Sequence, residues 1–383
     1  MLKVITFSLA LFLFTIQAYA QLPSSGAFSA APDDWLLSKG QAWHHKTGVS
    51  SSPTPLVFRE PTSAEKPIIE KASSLLQNTS AKSMALINGN EVVWVGYKGD
   101  TNDKSSFLSF SVGKTVTSMA VGKAICMGKF SLDTVAQNII PELKGTDLGA
   151  ATVKNLLTMS SGTWEGNPDS TISTGKQDDD ILAGRLSTLD LLKTPQVSSA
   201  HKSIFGAARK PGEEFAYKST DPLVLGVMIN KTTGMSFAEW VEQQVLIPAG
   251  IGSQGIIGQD KFGFGNSAGN VRLTLNDWMR FAIWVKQNEG AQGCFGDYVR
   301  QASKTQIENS SKKTGKLFDG YGYLIWTENI RTKDSYWAVG HGGQRIAWNH
   351  KNKRMLIVFS NIENFMPELY WLYKDWAGID GGN

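Results

Sequence analysis

From Ala64 to Gln77 the apolar residues Ile68, Ile69, Ala72, Leu75 and Leu76 recur at helical spacing and predict a helix with one apolar face. The spacing then changes to that of strands. Met84 to Ile87 and Val92 to Tyr97 are β-type runs joined by Asn88-Gly89-Asn90, a strong hairpin signal. Residues 112–315 return mostly to helical spacing. Ser236 with Glu239, and Thr274 with Asp277, match the capping box, and Gly234 and Gly290 stand where helices should stop. Between Gly162 and Arg209 the periodicity fades into a polar surface excursion, GNPDSTISTGKQDDD included.

Toward the end Tyr321 to Thr327, Tyr336 to Val339, Arg345 to Trp348 and Met355 to Ser360 read as strands, and Asn364 to Trp376 as a closing amphipathic helix. Strands at both ends with helices between them predict an α/β fold. One central antiparallel sheet would be built from the two chain ends, flanked by helices, with a mostly helical domain inserted. The expected division is 63–110 plus 316–383 for the α/β part and 111–315 for the helical part. Residues 21–62, rich in Pro, Ser and Gly, read as an extended lead-in.

The first twenty residues fit none of this. Lys3, the apolar run Val4 to Ile16 and the small-residue site Ala18-Tyr19-Ala20 have the form of a secretory signal peptide, with an apolar run too short to span a bilayer. The expectation is an exported protein, periplasmic or secreted, with no stable membrane anchor. Without Lys3 there remain 37 basic side chains against 34 acidic ones, too even a balance for a nucleic-acid partner. Cys126 and Cys294 are the only cysteines. A disulfide is permitted in an oxidising compartment, but Cys126 lies on an apolar stretch and two separately buried thiols fit equally well. Oligomeric state is left open.

Candidate chemistry centres on Ser-x-x-Lys, which occurs at Ser63, Ser111, Ser173, Ser199 and Ser310. Context separates them. Ser63 precedes Lys66-Pro67, Ser173 and Ser199 lie in the polar excursion, and Ser310 opens the charged run SSKKTGK. Only Ser111 follows an apolar approach (Phe107, Leu108, Phe110) and opens a helix whose face carries Val112, Val116, Met119, Ala120 and Ile125. On one helix face Lys114 can reach Ser111. Burial disfavours an ammonium, and a neutral amine can take a serine proton. Free N–H groups at the helix start would stabilise negative charge. The alternative is a serine helix cap with Lys114 reaching out to solvent.

Two further segments bear on that choice: Tyr217-Lys218-Ser219 leading into an apolar helix, and His341-Gly342-Gly343 between two strands, in VGHGGQRIAW. With Ser111-Val112-Gly113-Lys114, in this order, they resemble the three motifs of the class C β-lactamase-like, penicillin-binding-protein-like serine hydrolases. That superfamily includes DD-peptidases, D-aminopeptidases, family VIII carboxylesterases and 6-aminohexanoate-dimer (nylon oligomer) hydrolases. The likeness spans about residues 64–362, helped by LLTMSSG at 156–162 and GYGYLIW at 320–326. It implies an active site between the two parts of the fold and no cofactor. Ser111 would form an acyl-enzyme, with Lys114 and Tyr217 as proton-transfer partners whose order is left open. The backbone N–H groups of Ser111 and Gln344 would form the oxyanion hole. Ser219, His341, Gly342 and Gly343 would bind substrate, the glycines because a side chain there would block it. His341 stands where β-lactamases usually carry lysine, and Ser219 where they usually carry asparagine. The resemblance therefore favours an esterase or amide-oligomer hydrolase over a β-lactamase or D-amino-acid peptidase. Expected partners are small ester, amide or D-peptide substrates.

Other readings fare less well. Gly265-Asn266-Ser267-Ala268-Gly269 matches the G-x-S-x-G elbow, and Asp319 and His341 follow it in the α/β-hydrolase order, but no buried strand precedes it and no helix follows. It reads better as a cleft-side loop, with Asn266 and the distant Trp164 as candidate substrate contacts. The five histidines, His44, His45, His201, His341 and His350, show no metal-ligand spacing. Asp178 to Asp180 reads as a solvated acidic patch. A non-catalytic cell-wall-binding module would have no use for Ser111, Lys114 and Tyr217 together.

Overall fold

A computed structural model describes residues 43–163, 184–193, 210–309 and 317–379. The proposed signal peptide, the start of the lead-in, Trp164, Asp178 to Asp180 and His201 lie outside these residues. The strands, in chain order, are β1 (Trp43–Lys46), β2 (Val57–Phe58), β3 (Ala81–Asn88), β4 (Glu91–Tyr97), β5 (Ser106–Leu108), β6 (Ile256–Gln259) and β7 (Val271–Thr274). They continue as β8 (Ile307–Glu308), β9 (Phe318–Tyr321), β10 (Trp326–Asn329), β11 (Thr332–Gly340), β12 (Gln344–Asn349) and β13 (Arg354–Ser360). Six helices matter below: α1 (Lys66–Asn78), α2 (Gly113–Cys126), α3 (Thr220–Thr233), α4 (Leu275–Gly290), α5 (Cys294–Ala302) and α6 (Met366–Ala377).

The main sheet has the order β2-β4-β3-β13-β12-β11-β10-β9-β8, antiparallel except at the short β2–β4 pair. Its two halves come from the two ends of the chain and meet where β3 pairs with β13 along Asn88↔Arg354 to Met84↔Val358. Both faces are covered. On β12, Arg345 reaches Tyr370 of α6 on one side, while Trp348, three residues on and therefore on the other face, donates its indole N–H to Ala282 O of α4 at 2.9 Å. This explains why β13, RMLIVFS, is buried at every position: a strand covered on both faces needs no polar alternation. α1 and α6 lie together, joined by Lys71–Asp375 at 2.7 Å, and Trp376 donates to Met355 O at 3.0 Å.

The predicted helix and hairpin are present as α1 and β3–β4. The hairpin turns through Gly89, whose φ of +64° suits glycine. Ser236 makes its capping box, and α3 ends at Gly234 with φ +73°. Three features differ from the sequence reading or settle what it left open. Tyr321 to Thr327 is not one strand: the chain turns between β9 and β10, where Leu324 is left-handed (φ +57°) and donates its N–H to Leu157 O at 2.8 Å. That apolar run alternates too little to reveal a buried turn. A second sheet, β1-β6-β7-β5, draws β1 from the lead-in, β6 and β7 from the segment expected to be mostly helical, and β5 from just before that segment. Its strands are three or four residues long and pair across wide gaps, Trp43↔Gln259 for example, so they leave no local period. Cys126 and Cys294 form a disulfide, with Cα atoms 5.7 Å apart, that ties the end of α2 to the start of α5.

α2 is buried almost all round, as an apolar helix in the middle of a domain must be. Its Ala120 carbonyl accepts the indole N–H of Trp240 at 3.0 Å. Among the described residues no helix is long and apolar enough to cross a membrane.

Candidate active site

The nucleophile candidate stands at a forced turn. β5 is buried, and at its end Ser109 is tied to β7 twice, through its N–H to Val271 O (2.8 Å) and through Oγ accepting from Val271 N–H (3.0 Å). Phe110 follows with φ +44°, a left-handed conformation that costs an aromatic residue energy and is held here by its surroundings. Ser111 therefore sits on a single tight turn, Phe110–Val112, that runs directly into α2. Gly113 lets α2 approach the Gly265–Gly269 loop: a Cβ there would lie 2.9 Å from Gly269 Cα and from Ser109 Oγ.

Lys114 is 2% exposed, and its Nζ donates to Ser111 Oγ at 2.9 Å and to Ala268 O at 2.8 Å. Ser111 makes no capping bond, and Lys114 does not reach solvent, so the helix-cap alternative fails. The same Nζ lies 5.1 Å from the centroid of the Tyr217 ring. Tyr217, half-buried, stacks on Trp326 (5.4 Å between centroids, 25° between planes) and meets Tyr321 edge-on at 6.3 Å. Three predicted residues, Ser111, Lys114 and Tyr217, are thus gathered from two helix starts. Burial pushes the Tyr321 phenol well above the ordinary tyrosine value.

The loop after β6 supplies support rather than a nucleophile. Ser267 is fully buried; its Oγ donates to Pro222 O at 2.7 Å and its carbonyl accepts from Thr117 Oγ1 at 2.6 Å. Asp319, proposed to follow it in a triad, pairs instead with Lys333. Asn266 turns its Oδ1 back to Ala268 N–H at 3.2 Å and so shapes the carbonyl that Lys114 uses.

On the sheet side, Gly340 ends β11 directly against the nucleophile turn, between Ser109 and Gln344. His341 is exposed, and its ring meets Phe110 edge-on at 5.6 Å. Gly342 and Gly343 follow with φ +77° and +99°, values that favour glycine. Gln344 is fully buried on β12, opposite Gly340, and its amide braces the turn from behind, with Nε2 donating to His341 O (2.8 Å) and Ser360 O (2.7 Å). Arg345 Nη1 holds the carbonyls of Gly340 (2.7 Å) and Gln344 (2.8 Å). Ser219 is half-buried immediately before α3.

Sequence reasoning missed three contributors. Trp326 lay inside a run read as a plain strand. The Ala268 carbonyl has no side-chain signature at all. Lys218 and Asp221, 3% and 0% exposed, form a buried pair at 3.4 Å beside Tyr217. Burial pushes the Asp221 carboxyl above its ordinary range, and Lys218 and Ser161 pull against that. Their spacing of three in YKSTD was the available signal. Among the described residues no group of three His, Cys, Asp or Glu side chains gathers to hold a metal.

A family profile described as beta-lactamase matches residues 76–373. The 6-aminohexanoate-dimer hydrolase of Paenarthrobacter ureafaciens is 22% identical over 337 residues, 85% of this chain and 84% of that protein. Among solved structures, a Bacillus anthracis protein provisionally named a 6-aminohexanoate-dimer hydrolase superposes with a TM-score of 0.69 at 17% identity, over 93% of this chain and 96% of the other. The octameric penicillin-binding protein homologue of Pyrococcus abyssi gives 0.58 at 20% identity, over 81% and 75% of the two chains. These structures share the fold, the profile spans most of the sequence, and the chain belongs to the beta-lactamase family, with the fold of its serine hydrolases.

Proposed function

We propose that this protein cleaves small esters or amides through an acyl-enzyme on Ser111. The observation that carries the reading is the placement of Lys114 Nζ, 2.9 Å from Ser111 Oγ and 2.8 Å from Ala268 O, in a buried position. A neutral amine there can donate one N–H to Ala268 O and take the Ser111 proton on its lone pair. Ser111 Oγ then bonds to the substrate carbonyl carbon, and the oxyanion is met by N–H groups of Ser111 and of the Gly340–Gln344 turn. The C–O or C–N bond breaks as Tyr217 passes the proton to the leaving alkoxide or amine. Water, deprotonated by the same pair, releases the acid and restores Ser111.

Esters and linear amides are favoured over β-lactams because His341 stands where a β-lactam carboxylate would meet a lysine. The hydrolase name of the Paenarthrobacter ureafaciens relative points the same way. Export to an oxidising compartment is proposed from the N-terminal segment together with the Cys126–Cys294 disulfide. The test is hydrolysis of a short p-nitrophenyl ester, with mass spectrometry after a phosphonate probe. Label on Ser111, and loss of turnover in Ser111→Ala but not in Ser267→Ala, is the expected result; label on Ser267, or no label and no turnover, overturns the reading. A panel of esters, D-amino-acid amides, linear amide oligomers and a chromogenic cephalosporin then ranks the substrates.

A further inference from the structure

Among the buried ion pairs that the chemistry above leaves unused, Lys218–Asp221 adjoins the proposed proton carrier. Lys218 follows Tyr217 directly. Its Nζ donates to the carbonyl of Ala216, the residue just before Tyr217, at 2.8 Å, and to Met159 O at 3.3 Å, and lies 3.4 Å from Asp221 Oδ2. Met159 O also accepts the Ala216 N–H at 2.8 Å. On the far side, Asp221 Oδ1 accepts from Ser161 Oγ at 2.6 Å and Oδ2 from Ser161 N–H at 3.3 Å. Both flanks of Tyr217 are therefore fastened to the single segment Met159–Ser161.

We propose that Lys218 and Asp221 are positioning residues that hold the Tyr217 phenol at Ser111 and Lys114. The proposal rests on the role given to Tyr217 above. A buried ion pair is a poor device for stability alone, because desolvation offsets most of the attraction and a well-packed apolar pair would serve as well. It is a good device for fixing geometry, since each charge has a set of partners available in only one arrangement. The segment it grips also needs gripping: Met159 is left-handed (φ +53°) without being glycine. The stacking of Tyr217 on Trp326 fixes the plane of the ring, and the pair fixes the backbone from which the ring hangs.

The test is a comparison of Lys218→Met/Asp221→Asn, which removes both charges and keeps one carbonyl acceptor for Ser161, with wild type, each with and without Tyr217→Phe. Circular dichroism and thermal melting establish folding, and kcat and KM are measured on a p-nitrophenyl ester. The expected result is a folded protein whose kcat falls roughly 10- to 100-fold with KM unchanged, the size of loss that small misplacement produces. In the Tyr217→Phe background the same changes should cost nothing further, because the effect travels through that phenol. Wild-type kcat in the folded variant, or a loss that multiplies with that of Tyr217→Phe, overturns the proposal. If the combined variant does not fold, Asp221→Asn alone carries the same comparison. Failure of the wild-type protein to label at Ser111 would instead sink the hydrolase reading, so the two failures are told apart.

Discussion

Replacing Gly340 by alanine tests whether the site depends on the contact between β11 and the nucleophile turn. The backbone of Gly340 is extended (φ −127°, ψ 149°), so alanine is conformationally allowed and only space is at issue. Its Cβ would lie 2.4 Å from Ser109 O and 3.0 Å from Gln344 Cβ. Reaching even 3.0 Å from the carbonyl requires the two segments to part by about 0.6 Å, and neither moves freely. Ser109 is bound to Val271 by two hydrogen bonds, and its carbonyl accepts the Val112 N–H at 3.1 Å, closing the turn that carries Ser111. Overpacking of this kind costs about 1–3 kcal/mol. Because the displaced atoms lie two residues from Ser111, kcat should fall by roughly 10- to 100-fold, in line with the ~100-fold cost of a 1 Å error. The assay is ester turnover alongside thermal melting, with Gly290→Ala as control, since a Cβ there meets nothing within 4 Å. The control should keep its kcat and hold or gain up to about 1 kcal/mol. Gly340→Ala with wild-type kcat and melting temperature would refute the reasoning.

Lys114→Met should lower kcat by about 10²- to 10⁴-fold while leaving the fold intact, the range for loss of a positioned proton-transfer group; activity within tenfold of wild type would remove Lys114 from the mechanism. Glu65, buried and bonded to Arg59 and Arg354, is held down to about 2, chiefly by the Arg59 hydrogen bond and against the effect of burial. A depressed carboxylate stabilises the fold above its ordinary value of 4.5 and loses that contribution as pH falls through about 2. At about 1.36 kcal/mol per unit, Glu65→Gln should therefore cost about 3 kcal/mol at pH 7, with the gap to wild type closing between pH 5 and pH 2 in denaturant titrations; a gap independent of pH contradicts this. Cys126 and Cys294 enclose a separation of 168 residues, so reduction, or Cys126→Ser with Cys294→Ser, should destabilise by about 2–5 kcal/mol. A melting temperature insensitive to reductant would show that the bridge does not restrain the chain.

What could be read in advance depended on how local its cause is. α1 and the β3–β4 hairpin were legible because a helical period and an Asn-Gly turn each state their structure within a dozen residues. The β1-β6-β7-β5 sheet was not, because β1 meets β6, and β5 meets β7, across long stretches of chain (Trp43↔Gln259, Ser106↔Thr274) in strands too short to show alternation. The site divides in the same way. Its candidate side chains came from two sources: Ser111 and Lys114 from residue type and helix context, and Tyr217 only through the resemblance of its motif to those of the serine hydrolases. Its backbone half was not legible: a carbonyl such as Ala268 O looks alike in every residue, and Lys218 reads as an ordinary surface lysine until its acceptors at Met159 and Ala216 are in place.

Glycine is the one trace that backbone chemistry leaves in a sequence, and here it marks both walls of the site. Gly265 and Gly269 bound the loop that offers Ala268 O, with Gly269 so close to Phe110 that a Cβ would lie 2.6 Å from the Phe110 carbonyl. Gly340, Gly342 and Gly343 mark the opposing edge. The first cluster resembled a nucleophile elbow because both arrangements need glycine for the same reason, close approach of main chain. They differ in what the central serine does. An elbow exposes its serine, whereas Ser267 Oγ is spent on Pro222 O. Reading Gln344 from its place after the glycines likewise drew attention to its N–H, while its side chain, bonded to His341 O and Ser360 O, shapes the turn. In both cases glycine spacing pointed to close main-chain approach, and the hydrogen-bond partners of the neighbouring polar residue show what its side chain holds.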